Sequence, residues 1–109
     1  MRSAGVCGMA FAILLTASAA AVAGEPSVER KAALLHQLKH DCGSCHGLTM
    51  KGGLGPPLLP ARLEARSRED LVAVILEGVA DTPMPPWQGE LTADEAGWLV
   101  QVLQEGMSQ

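Results

Sequence analysis

The sequence predicts an all-α domain, and three observations carry that expectation. Apolar residues recur at helical spacing in two stretches, Leu34, Leu35, Leu38 and Cys42 early on, and Ala96, Leu99, Val102 and Leu103 near the end. Residues suited to cap a helix, Ser27, Ser67 and Thr92, stand before these stretches and before a third at Leu71–Leu76. The segments between them, residues 47–60 and 81–89, are so rich in glycine and proline that no strand alternation survives.

Residues 1–23 read as a cleaved secretory signal. Arg2 supplies a weak positive start, residues 6–16 an apolar run, and Ala21-Val22-Ala23 a small-residue cleavage site before Gly24. The run is too short and too alanine-rich for a membrane span. Cys7 and Phe11 would leave with it, Cys7 reading as an apolar signal residue rather than a lipid-attachment or disulfide cysteine. Residues 24–109 then form one domain of about 86 residues, with a marginal core. It holds seven Lys/Arg against twelve Asp/Glu, an acidic balance that argues against nucleic acid, and it has no second apolar run to enter a membrane.

Within that domain the first helix begins at Val28, with Glu29, Arg30, Lys31 and Lys39 on its wet side, and carries Cys42 near its end. His36 and His40, four residues apart, read as a solvent-facing pair, although together they have the spacing to hold a metal. Ala61–Arg66 has room for a turn or two of helix. Ser67 caps a helix with Glu69 and Asp70 in its first turn, and Gly78 stops it. Thr92 and Glu95 form a capping box for the last helix, which runs to Gly106, with Trp98 beside its apolar face and packed on the first helix. Met107 falls in a frayed tail.

The chemistry is concentrated in Cys42-Gly43-Ser44-Cys45-His46. Two cysteines separated by two residues and followed by histidine form the attachment signature of a c-type haem. Each thiol adds to one vinyl group on the same porphyrin edge, and the next residue brings an imidazole under the iron. A thioredoxin-like pair would want a βαβ pattern, which is not visible, and half a zinc site would want a second Cys/His pair, for which only His36 and His40 are on offer. After Gly24 the aromatic residues are Trp87 and Trp98, so a buried porphyrin would also supply the missing bulk of the core.

Met84, 38 positions after His46 and flanked by Pro83, Pro85 and Pro86, is the candidate second axial ligand. A methionine denied regular structure by its neighbours is held out for something other than packing. Met50 is too near His46 to reach the opposite face. The His46 imidazole should donate its second N–H to a carbonyl, for which Pro56 is nominated. Lys51, Arg62, Arg66 and the Trp87 indole are candidates for the haem propionates.

Cys42 to His46, Gly55-Pro56-x-Leu58 and Met84, in that order, resemble a class I cytochrome c over nearly all of residues 24–109. The loops are more specific. Cys42 through Leu58, Thr82-Pro83-Met84-Pro85-Pro86-Trp87, and Leu91-Thr92-x-x-Glu95-Ala96 resemble the NirC-type small periplasmic cytochromes encoded with cytochrome cd nitrite reductase. The resemblance implies a fold of three to four helices around one covalently attached haem, with Cys42, Cys45, His46, Pro56 and Met84 at the cofactor and His46 and Met84 on the iron. It implies a monomeric, periplasmic, non-enzymatic carrier of single electrons to that reductase in denitrification, or to another periplasmic redox protein. The alternative is a part in making the reductase's d-type haem. A peroxidase or nitric oxide binder would need a distal acid-base group, for which Asp81 is the nearest candidate.

Overall fold

The computed structural model describes residues 3, 5 and 24–107; the rest of the expected signal, including its cleavage site, lies outside the described residues. The described residues form α1 (Val28–Gln37), a π-helical turn (Leu38–Cys42), α2 (Gly43–His46), α3 (Pro60–Leu63), α4 (Arg68–Glu77) and α5 (Ala93–Glu105), with no strand among them. The all-α expectation holds.

Each long helix starts where a side chain can satisfy its free backbone N–H groups. The Ser27 hydroxyl accepts from Arg30 N, Ser67 from Asp70 N and Thr92 from Glu95 N. At α5 the box is complete, because the Glu95 carboxylate accepts from Thr92 N in return. Gly78 and Gly106, at φ 68° and 82°, end α4 and α5 in a backbone region that side chains disfavour.

The core is aliphatic. Leu34 and Leu38 from the first helical segment meet Leu99, Val100 and Leu103 of α5, with Leu63, Leu71 and Leu91 closing the sides. Leu35, expected on the buried face, is 40% exposed instead. One position along an α-helix is a rotation of about 100°, and the stripe fixed by Leu34 and Leu38 leaves it outside. Val100 lies fully in the core where the spacing had favoured Val102, which is half-buried. Met107 packs against the core rather than trailing from it. Trp98 is half-buried against the same core with the Lys31 ammonium 5.7 Å from its ring centroid, the expected contact with α1.

Two salt links tie down the start of α1. Arg30 Nε donates to Glu95 Oε1 at 2.6 Å and joins α1 to α5, and Lys31 pairs with Glu25. Burial of the glutamate end, hydrogen-bonded on both sides, makes the first more than a surface pair.

Candidate haem site

One helical path from Val28 to His46 delivers the haem motif, but not as a plain α-helix. Between Leu38 and Cys42 it widens into a π turn, in which Gly43 N donates to Leu38 O, five residues back. An extra residue in the turn rotates the later residues by about 100° relative to an unbroken helix. The buried stripe therefore passes from Leu34 and Leu38 to Gly43 and His46. Sequence spacing does not reveal this turn, since its residues keep the hydrophobicity of an α-helix.

Behind α2 the glycine- and proline-rich loop folds back onto the motif. Gly55 N donates to Cys45 O and Gly52 N to His46 O, both at 2.8 Å, satisfying carbonyls that the end of the helix leaves free. A β-carbon on Gly55 would stand 2.7 Å from His46 Cε1 and 2.8 Å from Nδ1, and one on Gly53 would stand 2.7 Å from Cys45 O. Only glycine lets the loop come this close. Its reward is the contact between His46 Nδ1 and the Pro56 carbonyl, at 2.7 Å. A carbonyl can only accept, so Nδ1 carries the proton and Nε2 keeps its lone pair free for a metal.

Cys42 and Cys45 are half-buried free thiols. Burial, assisted by the Asp41 carboxylate, pushes the Cys42 thiol up to about 11. Before haem attachment the neutral thiol is therefore favoured over the thiolate.

The opposite wall is the loop after α4. Trp87 N and Gln88 N donate to Ile75 O and Leu76 O, so the chain returns along the end of that helix, and Met84 is half-buried within the returning loop. Between the walls lies a cavity of about 1030 Å³ lined by Cys42, Cys45, His46 and Met84 together with aliphatic side chains that include Leu58, Leu71, Ile75 and Val100.

This cavity fits a haem. Its size is at the upper end of ligand sites, its lining is mostly apolar, and two thiols, an imidazole and a thioether stand on it among a few polar and charged side chains that include Asp41, Ser44, Arg62 and Arg66. Of the four propionate candidates, Arg62, Arg66 and Trp87 line the cavity, and Lys51 does not. A second hollow of about 450 Å³, beside α4 and α5, is lined by no Cys, His or Met.

His36 and His40 are both exposed, their ring centroids 4.3 Å apart, as a solvent-facing pair. Among the described residues no three His, Cys, Asp or Glu side chains converge as a metal site. Met50 is buried at φ 59° in the aliphatic core and is not part of the cavity lining. No helix among the described residues is long and apolar enough to cross a membrane.

Comparison with known proteins agrees with this geometry. Residues 29–102 match the family described as "Cytochrome C oxidase, cbb3-type, subunit III". Cytochrome c55X of Pseudomonas aeruginosa is 57% identical over 81 residues, which cover 74% of this chain and 68% of that one. The solved structure of the c-type cytochrome NirC superposes with a TM-score of 0.73 at 57% identity, covering 75% of this chain and 96% of NirC. A solved complex of dihydro-haem d1 dehydrogenase NirN matches with a TM-score of 0.63 at 32% identity, over 69% of this chain but only 16% of NirN. The cofactor of this chain is thus one covalently bound haem c. With its helical fold, its cavity and these relatives, the chain belongs to the small all-α c-type cytochromes, in the group of cytochrome c55X and NirC.

Proposed function

We propose that this protein is a periplasmic carrier of single electrons that supplies cytochrome cd nitrite reductase in denitrification. The observation that carries the reading is that His46 and Met84 both line one cavity, where they would serve as the two ligands of a haem iron. Haem bound there supplies a one-electron iron couple.

The chain's own residues hold and insulate that couple. Cys42 and Cys45 bind the porphyrin edge through thioether bonds. Pro56 holds His46 in the tautomer that would offer Nε2 to the iron, and Met84, also on the cavity lining, would supply the second ligand. With His46 and Met84 both holding the iron, its ligand positions would be taken by the protein's own side chains, which suits a carrier rather than a substrate-binding centre. Asp81 is exposed and outside the cavity lining, so the carrier reading is favoured over a peroxidase or a gas binder. Arg62, Arg66 and Trp87 are the residues placed to meet the propionates. Residues 1–23 act as the export signal, and residues 24–109 work as a monomer.

The acidic balance suits docking on a basic partner surface, in a small transient interface whose formation slows as salt rises. The test is stopped-flow mixing of the reduced holoprotein with the nitrite reductase of the same organism. Fast oxidation that continues on adding nitrite, and slows with ionic strength, is the expected result. Absence of oxidation with the methionine ligand intact would remove the reductase as partner.

A second reading is favoured by the match to dihydro-haem d1 dehydrogenase NirN, of which this chain resembles one small part. On that reading the protein exchanges electrons during maturation of a d-type haem. A deletion strain separates the two: normal d-haem content with slow nitrite reduction supports the carrier, and lost d-haem supports maturation.

A further inference from the structure

The loop that presents Met84 is irregular from Val79 to Trp87, yet one side chain organises it. The Thr82 hydroxyl donates to Val79 O at 2.8 Å and, on its other side, accepts from Met84 N at 3.3 Å. Backbone bonds close the same small ring: Thr82 N donates to Val79 O at 3.3 Å, and Val79 N to Met84 O at 3.2 Å. Gly78 lets the ring sit against the end of α4, because a β-carbon there would stand 2.7 Å from Met84 O.

Proline explains why a side chain is needed. Pro83, Pro85 and Pro86 have no N–H, so across residues 83–86 the one backbone donor is that of Met84. That donor is spent on Thr82. Remove the hydroxyl and Met84 N loses its bond within the protein, while Val79 O loses one of its two donors.

We infer that Thr82 is the positioning residue for the methionine ligand: its hydroxyl fixes Met84 between Val79 and the cavity, and so sets how readily another ligand takes the iron. The inference rests on the reading of Met84 as axial ligand. An incoming ligand must wait for the loop to swing out, so its apparent affinity scales with the fraction of time the loop is open. Losing two exposed hydrogen bonds, together about 1 kcal/mol, should raise that fraction about fivefold.

The experiment uses the ferric mature holoprotein, residues 24–109, titrated with imidazole while the weak long-red absorption of a sulfur-to-iron bond is monitored. Thr82→Val keeps the shape and deletes the hydroxyl, and Thr82→Ser restores the hydroxyl without the methyl group. The expected result is an apparent imidazole affinity about fivefold tighter in Thr82→Val and close to wild type in Thr82→Ser. Equal affinity in all three overturns the inference, as does a Thr82→Val that melts earlier but binds imidazole no better, since the hydroxyl would then be merely structural. Absence of the long-red band from the wild type would overturn the Met84 reading itself, and the role of Thr82 with it. Should Thr82→Val fail to accumulate, Thr82→Ala and Thr82→Ser carry the same comparison.

Discussion

The two walls of the haem cavity are built by different means. The Cys42–His46 wall is part of a helix, and the loop behind it is pressed so close that glycine is obligatory at Gly53 and Gly55. The Met84 wall is a loop with an exposed Thr82 at its turn and a half-buried methionine. Steric closure fixes the first, so that any displacement meets hard contacts; hydrogen bonds near water fix the second, each contributing about 0.5 kcal/mol. On the proposed ligation, the cofactor would be held rigidly on one side and by an exchangeable ligand on the other. The proposed carrier would benefit from this, because the covalent side would keep the haem and the sulfur side would tune its potential.

The sharpest way to break the comparison is to attack the steric wall. Gly55→Val would place a side chain within contact of the His46 ring and push the Pro56 carbonyl away from Nδ1. Overpacking at such a site costs about 1–3 kcal/mol, and here it falls on the ligand that must be seated as the haem is attached. Holoprotein recovered from cells should drop about tenfold, measured as haem per milligram of chain. Normal recovery would show that the proximal wall is softer than its contacts indicate.

The opposite wall should fail in function rather than in assembly. Met84→Ala leaves both cysteines and His46 untouched, so haem content should stay near wild type. The long-red sulfur band should vanish, the reduced protein should bind carbon monoxide readily, and the potential should fall by a sizeable part of the roughly 0.8 V that axial ligation commands. Voltammetry and a carbon monoxide titration check both. A protein that keeps its potential without Met84 would erase the contrast between the walls.

How much of this the sequence revealed also differs between the walls. The haem motif, the irregular loops and all three capped helices were legible, because each depends on local chemistry: a cysteine spacing, a proline's missing N–H, a hydroxyl before a helix. Pro56 was legible too, since a ligating imidazole needs a nearby acceptor. What escaped were features set by phase and by closure in three dimensions. The π turn at Leu38–Cys42 carries no composition of its own, and Leu35 and Val102 were assigned to faces that the folded helices build from Leu34 and Val100 instead. Arg62 and Arg66 could not be ranked above Lys51 until α3 and the turn after it brought them to the cavity.

The smallest expected effect lies outside both walls, at the link between α1 and α5, and for that reason it sharpens the contrast. The Arg30 guanidinium, and after it the Thr92 backbone N–H, holds the Glu95 carboxyl below the ordinary 4.5. The folded state therefore takes up this proton less readily than the unfolded chain. Above about pH 4.5 both states are ionised and the stabilisation is complete; as pH falls toward the folded value, the unfolded chain is protonated first and the stabilisation is lost. Glu95→Gln should thus be less stable than wild type near neutral pH, with a difference that shrinks as urea melts are carried down to about pH 3. Thr92→Ala, which removes the other half of the box, should cost about 1 kcal/mol. Neither change should alter the sulfur band or the potential at neutral pH, because helix crossing and iron ligation are held by separate contacts. A variant at Glu95 that shifted the potential there would mean that the crossing of α1 on α5 sets the geometry of the walls and not only their stability.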